Sequence, residues 1–150
     1  MTPLPWTNAK TANGMLNAVM RVIKEDYRRI SMNFVCVRIG SIPRYRNLIN
    51  TLISPPCGAV GCVAGWVLIL TNRTSENEYN LGDTSTAGRI LGLSYEQERE
   101  LFYPQYLVEA RSEFQTARHA NEVIRHIRAF QNKYRKQLLA TKLDNYASQR

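Results

Sequence analysis

The stretch Cys57-Gly-Ala-Val-Gly-Cys-Val-Ala-Gly-Trp-Val-Leu-Ile-Leu70 contains no charged residue. Pro55 and Pro56 stand directly before it and are good start punctuation for a helix. A helix apolar on all sides belongs in the middle of a bundle, so this segment predicts a buried helix over 57–70. Gly58, Gly61 and Gly65 are spaced by three and four residues, which on a helix aligns them in a stripe without side chains. Each glycine costs about 1 kcal/mol relative to Ala. Such a stripe implies close packing, either by a neighbouring backbone or by a small molecule in a pocket walled by Cys62 and Trp66.

On the N-terminal side, Met15, Val19, Val22, Ile23 and Tyr27 share one face, opposite Arg21, Lys24, Glu25, Asp26 and Arg28. The spacing predicts an amphipathic helix over 14–29 with Asn13 as its N-cap. Phe34 to Ile39 is locally strand-like, but no second strong strand offers a partner, so it is expected to be extended or irregular. Tyr45 to Ile53 predicts a short helix stopped by Pro55-Pro56.

Downstream, residues 72–83 are polar and predict a surface loop. Asp83 or Thr84 then opens a short helix through Ala87, Ile90 and Leu91. Gly92 closes it where a left-handed cap is needed. Ser94-Tyr95-Glu96-Gln97 is a capping box, so a second short helix follows to about Phe102, with Leu101 and Phe102 inward and Pro104 ending it. The pair forms an αα-hairpin bridged by Leu93. From Thr116 to Leu143 runs the longest helical pattern, with Ala117, Ala120, Ile124, Ile127, Phe130, Tyr134 and Leu138 on its apolar stripe and a basic far face whose last turns project or meet a partner.

With 150 residues and 44% hydrophobic content, the chain can build one core without disulfide staples. The expected organisation is an N-terminal arm over 1–12, with Trp6 docking on the body, a helical domain over 13–143, and a tail over 144–150. The fold class is all-α, a single-domain bundle around the buried central helix. The longest apolar run, Ala59 to Leu70, falls short of the roughly 18–20 residues that span a bilayer. The first residues lack the basic start and apolar block of a secretory signal, and three cysteines cannot all pair within one chain. A cytoplasmic, non-membrane setting is expected.

Charge is unevenly distributed. Residues 1–50 carry eight Lys/Arg against two acids, 51–123 five against nine, and 124–150 seven against one, within a net charge of +8. Basic ends around an acidic middle can bind a polyanion, fold back on the middle, or drive association into a homo-oligomer. The candidate partner-binding residues are Arg118, Arg125, Arg128, Lys133, Arg135 and Lys136 on the last helix, with Arg28, Arg29, Arg44 and Arg46 nearer the N-terminus. Phe130 and Tyr134 fall on the core stripe, so contact with an acidic protein surface or nucleic acid would be sequence-tolerant and salt-sensitive.

For covalent chemistry, Cys57 at the expected helix start is the best nucleophile, because unpaired backbone N–H groups favour thiolate there. A Cys57-dependent hydrolase or transferase would need His119 or His126 as base, and the sequence does not place either within reach. Fully helical Cys57 and Cys62 would sit about 8.6 Å apart, too far for a disulfide. The two histidines, seven residues and about 10.5 Å apart on a helix, diverge from any one metal. No metal or cofactor is expected, and a non-enzymatic binding protein is the leading expectation.

The run Cys57-Gly58-x-x-x-Cys62-x-Ala64-Gly65-Trp66, followed by Ala87-x-x-Ile90-Leu91-Gly92-Leu93-Ser94 and Leu101-Phe102, resembles a set of small bacterial and phage proteins of uncharacterised function. They share a Cys-Gly-Thr-x-x-Cys-Ile-Ala-Gly-His/Trp helix and a downstream Leu-Leu-Gly-Leu segment. The present chain differs by Ala59 in place of Thr, by a longer segment between 35 and 54, and by its basic C-terminal extension. The resemblance implies a prokaryotic or phage origin and a helical fold, and transfers no activity.

Overall fold

Thr11, two residues ahead of the expected Asn13, caps the first helix: its Oγ1 accepts from the Gly14 N–H at 3.1 Å. That helix, α1 (Ala12–Glu25), buries Met15, Leu16, Val19, Met20, Val22 and Ile23 on one face. It stops earlier than the predicted 29 because Asp26 turns to extended backbone and caps a separate 3₁₀ turn, Tyr27–Arg29. The computed structural model describes residues 5–32, 36–38, 57, 59–71, 84–108 and 115–143. The expected short helix over 45–53, the loop over 72–83 and the tail over 144–150 lie outside the described residues. The remaining elements are β1 (Cys36–Arg38), β2 (Ala59–Gly61), α2 (Val63–Leu70), α3 (Thr84–Ile90), α4 (Tyr95–Phe102), α5 (Gln105–Val108), α6 (Ala117–Lys133) and α7 (Arg135–Ala140). The fold is all-α apart from the short strand pair.

The central apolar segment is where the structure corrects the sequence most. Its first part is strand: Ala59–Gly61 pairs antiparallel with Cys36–Arg38, with Cys36 opposite Gly61, Val37 opposite Val60 and Arg38 opposite Ala59. The helix begins only at Val63, with Cys62 as N-cap. A short uninterrupted apolar run has no periodicity that distinguishes buried strand from buried helix, and the partner strand lies more than twenty residues away. The glycine stripe therefore does not form: Gly61 lies in β2 and Gly65 in α2, and Gly58 is outside the described residues.

All eight residues of α2 are buried, and α1, α3 and α4 pack against it. The helix remains the central rod of the core, shorter than expected. Trp66 anchors it. The fully buried indole donates its N–H to the Arg29 carbonyl at 2.8 Å, joining α2 to the 3₁₀ turn. Ser31 N–H donates to the Gly61 carbonyl at 3.0 Å, which ties the same turn to β2.

The αα-hairpin forms as the sequence predicts. Gly92 adopts φ +68°, and a Cβ there would meet Thr141 Cγ2 at 2.8 Å. Ser94 and Gln97 make both hydrogen bonds of the capping box, and Leu101 and Phe102 are buried.

The long C-terminal helix is interrupted. Tyr134, at φ −115° and ψ 30°, separates α6 from α7, and α7 packs back on α1. Residues 141–143, which follow it, do not project. Ala12 N–H donates to the Thr141 carbonyl at 2.9 Å and Leu143 N–H to the Lys10 carbonyl at 3.0 Å, so the inner end of the N-terminal arm and residues 141–143 close on each other. Trp6, expected on the body, is 61% exposed.

Candidate functional site

Cys57 and His126 are held by separate partners rather than by each other. Cys57 is buried, and its Sγ donates to the Ala59 carbonyl at 3.8 Å. The thiol at the helix start is Cys62, not Cys57, and burial pushes it up to about 11 despite the nearby backbone N–H groups of Gly65 and Ala64. At neutral pH it is a protonated, packed side chain. Both cysteines carry thiols rather than a disulfide.

His119 is fully buried, and its backbone N–H is capped by Thr116 Oγ1 at 3.1 Å. His126 has both ring nitrogens engaged elsewhere. Nε2 lies 2.9 Å from the Glu100 carbonyl, which only accepts, so Nε2 carries the proton; Nδ1 then accepts from the Tyr106 hydroxyl at 2.7 Å. Burial lowers the His126 pKa below the ordinary histidine value. This imidazole joins α6 to α4 and α5 and is not oriented toward a thiol.

Beside it stands a second interhelical contact. The Glu100 carboxylate accepts from Lys133 Nζ at 2.8 Å and from the Tyr134 hydroxyl at 2.5 Å. Burial pushes this carboxyl up, but those two partners outweigh it and hold it below the usual carboxylate range. Lys133, although exposed, is thus already paired within the chain.

Two more expected partner-binding residues are already paired within the chain, and one of them, Arg29, is buried. Arg29 is 8% exposed, and its Nη1 donates to the Val22 carbonyl and to Glu25 Oε2, each at 3.1 Å, closing the end of α1. Arg28 holds Asp26 through Nε at 2.8 Å and Nη2 at 2.7 Å, an arrangement that depresses the Asp26 pKa. Arg44 and Arg46 lie outside the described residues. Trp66 and Cys62, the expected walls of a small-molecule pocket, are core residues at 0% and 4% exposure.

What remains is a line of cations on α6 and its continuation. Arg118, Arg125, Arg128, Arg135 and Lys136 are all exposed. On α6 the buried face is His119, Ala120, Val123, Ile124, Ile127 and Phe130. Opposite it, Arg118, Asn121, Arg125, Arg128 and Asn132 follow one another at spacings of three and four residues, and Arg135 continues the count past Tyr134. From Arg118 to Asn132 this ridge is about 21 Å long at the helical rise. Glu122 lies 3.6 Å from Arg118, a long contact between a half-buried carboxylate and an exposed guanidinium that contributes little. Among the described residues no ion pair engages Arg125, Arg128, Arg135 or Lys136.

A scan against protein-family models and searches of curated proteins and of solved structures find no match. The chemistry of the chain itself therefore carries the functional argument. Sequence reasoning found the cations but not the carboxamides between them. Asn121 and Asn132 were visible at the same helical spacing, and the pairing of Arg28, Arg29 and Lys133 with Asp26, Glu25 and Glu100 separates that ridge from these other basic residues. Among the described residues no helix is long and apolar enough to cross a membrane.

Proposed function

We propose that the protein is a non-enzymatic accessory factor, of the bacterial or phage kind its resemblance implies, that binds a polyanionic macromolecule through the exposed face of α6 and α7. The observation that carries the proposal is the ridge Arg118-Asn121-Arg125-Arg128-Asn132-Arg135, uniform in sign and straight over its α6 portion. A nucleic acid is a linear lattice of negative charge, so a straight line of guanidinium groups meets phosphate after phosphate. Acidic protein surfaces mix signs and lack that regularity, which favours nucleic acid as the partner. Guanidinium pairs bidentately with phosphate oxygens, and the intervening carboxamides add neutral hydrogen bonds without opposing charge. The ridge contains no aromatic side chain, so its contribution is tolerant of sequence.

The test is anisotropy of a labelled oligonucleotide at physiological salt. Wild-type protein should bind with a dissociation constant in the range of roughly 10⁻⁶ to 10⁻⁴ M known for such contacts, and Arg125→Glu with Arg128→Glu should weaken binding at least about tenfold. Absence of wild-type binding, or equal binding by the doubly reversed variant, refutes the proposal.

A further inference from the structure

Beside the ridge, between α1 and the α6–α7 junction, lies an open groove of about 210 Å³ lined by Asn13, Asn17, Gln131, Asn132, Arg135 and Leu139. We infer that this groove is a subsite for one unpaired nucleobase of a single-stranded nucleic acid whose phosphates run along the arginine ridge. The inference rests on the nucleic-acid reading of that ridge and deepens it, since Asn132 and Arg135 belong to both.

The lining fits a base better than other small ligands. A base has two flat faces that are poorly hydrated and an edge of alternating donors and acceptors. Arg135 supplies a guanidinium plane of the kind that stacks on bases, and Leu139, 47% exposed, supplies an apolar contact. The remaining four residues are carboxamides, and Asn and Gln are the side chains that pair with both a donor and an acceptor on a base edge. A phosphate or carboxylate ligand would be matched by several cations, and this groove has one.

The carboxamides are also arranged. Gln131 Nε2 donates to Asn17 Oδ1 at 2.8 Å and to the Asn13 carbonyl at 3.4 Å. That leaves Gln131 Oε1 as an acceptor and Asn17 Nδ2 as a donor, held together across the two helices. Among the described residues no hydrogen bond engages the side chains of Asn13, Asn132 or Arg135. The volume is below the roughly 300 Å³ at which drug-sized pockets begin, so the groove takes a fragment such as a single base. A paired, stacked base in a duplex cannot enter it, which makes the subsite selective for single strands.

The experiment compares three probes of about twelve nucleotides: a single strand of adenylates, the same phosphate backbone with abasic positions, and a duplex. Wild-type protein should bind the base-bearing strand about tenfold tighter than the abasic strand at equal salt. Asn17→Ala, at an exposed position, and Asn13→Ala, at a half-buried one, both on α1 and off the ridge, should each remove most of that preference while leaving abasic and duplex binding within about twofold. Equal affinity of wild type for base-bearing and abasic strands, or an unchanged preference in both variants, overturns the subsite and leaves the phosphate ridge standing. Failure of wild type to bind any of the three probes overturns the ridge and the subsite together.

Discussion

Replacing Trp66 by Phe tests how the core is held. The indole is fully buried and donates its only N–H to the Arg29 carbonyl at 2.8 Å. Phe retains an aromatic ring in the same place but has no donor, so the carbonyl loses this partner in a buried setting, at a cost of about 1–3 kcal/mol. The missing part of the larger ring leaves unfilled volume worth about 1 kcal/mol more. The expected loss is thus about 2–4 kcal/mol, a large fraction of the roughly 5–15 kcal/mol that stabilises an ordinary domain. Urea unfolding followed by far-ultraviolet circular dichroism measures it, with a thermal midpoint lower by about 5–15 °C. Trp6→Phe, at a position 61% exposed, serves as the control and should change stability by less than about 0.5 kcal/mol. If Trp66→Phe unfolds within about 0.5 kcal/mol of wild type, the argument that this hydrogen bond locks α2 to the 3₁₀ turn is wrong.

Three further outcomes follow from the same structure. Burial lowers the His126 pKa in the folded chain, so below the ordinary histidine pKa of about 6.5 the unfolded chain binds the extra proton first. Stability should therefore fall as pH drops through that value and level off below the folded pKa, and the step should vanish in His126→Gln; urea midpoints from pH 8 downward read it. In a Cys36→Ser background, the buried Cys57 and Cys62 should resist an aromatic disulfide reagent at pH 8 for as long as the fold persists and react once urea unfolds it, whereas rapid labelling of the native protein would revive a nucleophilic role. Gly92→Ala forces a side chain into φ +68° and against Thr141, and should cost about 1–2 kcal/mol by denaturation, while an unchanged midpoint would contradict the turn geometry.

The helical hairpin was legible in the sequence because its signals are local. Gly92 and the Ser94–Gln97 box act within four residues of themselves, and the structure forms both as read. The apolar face of α1 was equally legible, with its cap displaced from Asn13 to Thr11 because either residue satisfies the same chemistry. What the sequence hid was pairing at a distance. Phe34 to Ile39 has strand character, and its partner lay in a run whose apolar continuity also suits a helix; only the pairing of Cys36–Arg38 with Ala59–Gly61 separates the two. Charge posed the same difficulty. Arg28, Arg29 and Lys133 count as unengaged cations until Asp26, the Val22 carbonyl and Glu100 are seen beside them. The ridge on α6 survives that sorting because its members lie opposite the buried stripe.

The salt dependence of single-strand binding tests the central claim most directly. Four exposed arginines on the ridge, Arg118, Arg125, Arg128 and Arg135, predict that the logarithm of the binding constant falls against the logarithm of salt concentration with a slope of about −3. Arg125→Ala with Arg128→Ala should reduce that slope by about 1.4. A wild-type slope near zero, or one that the double variant leaves unaltered, would contradict the account.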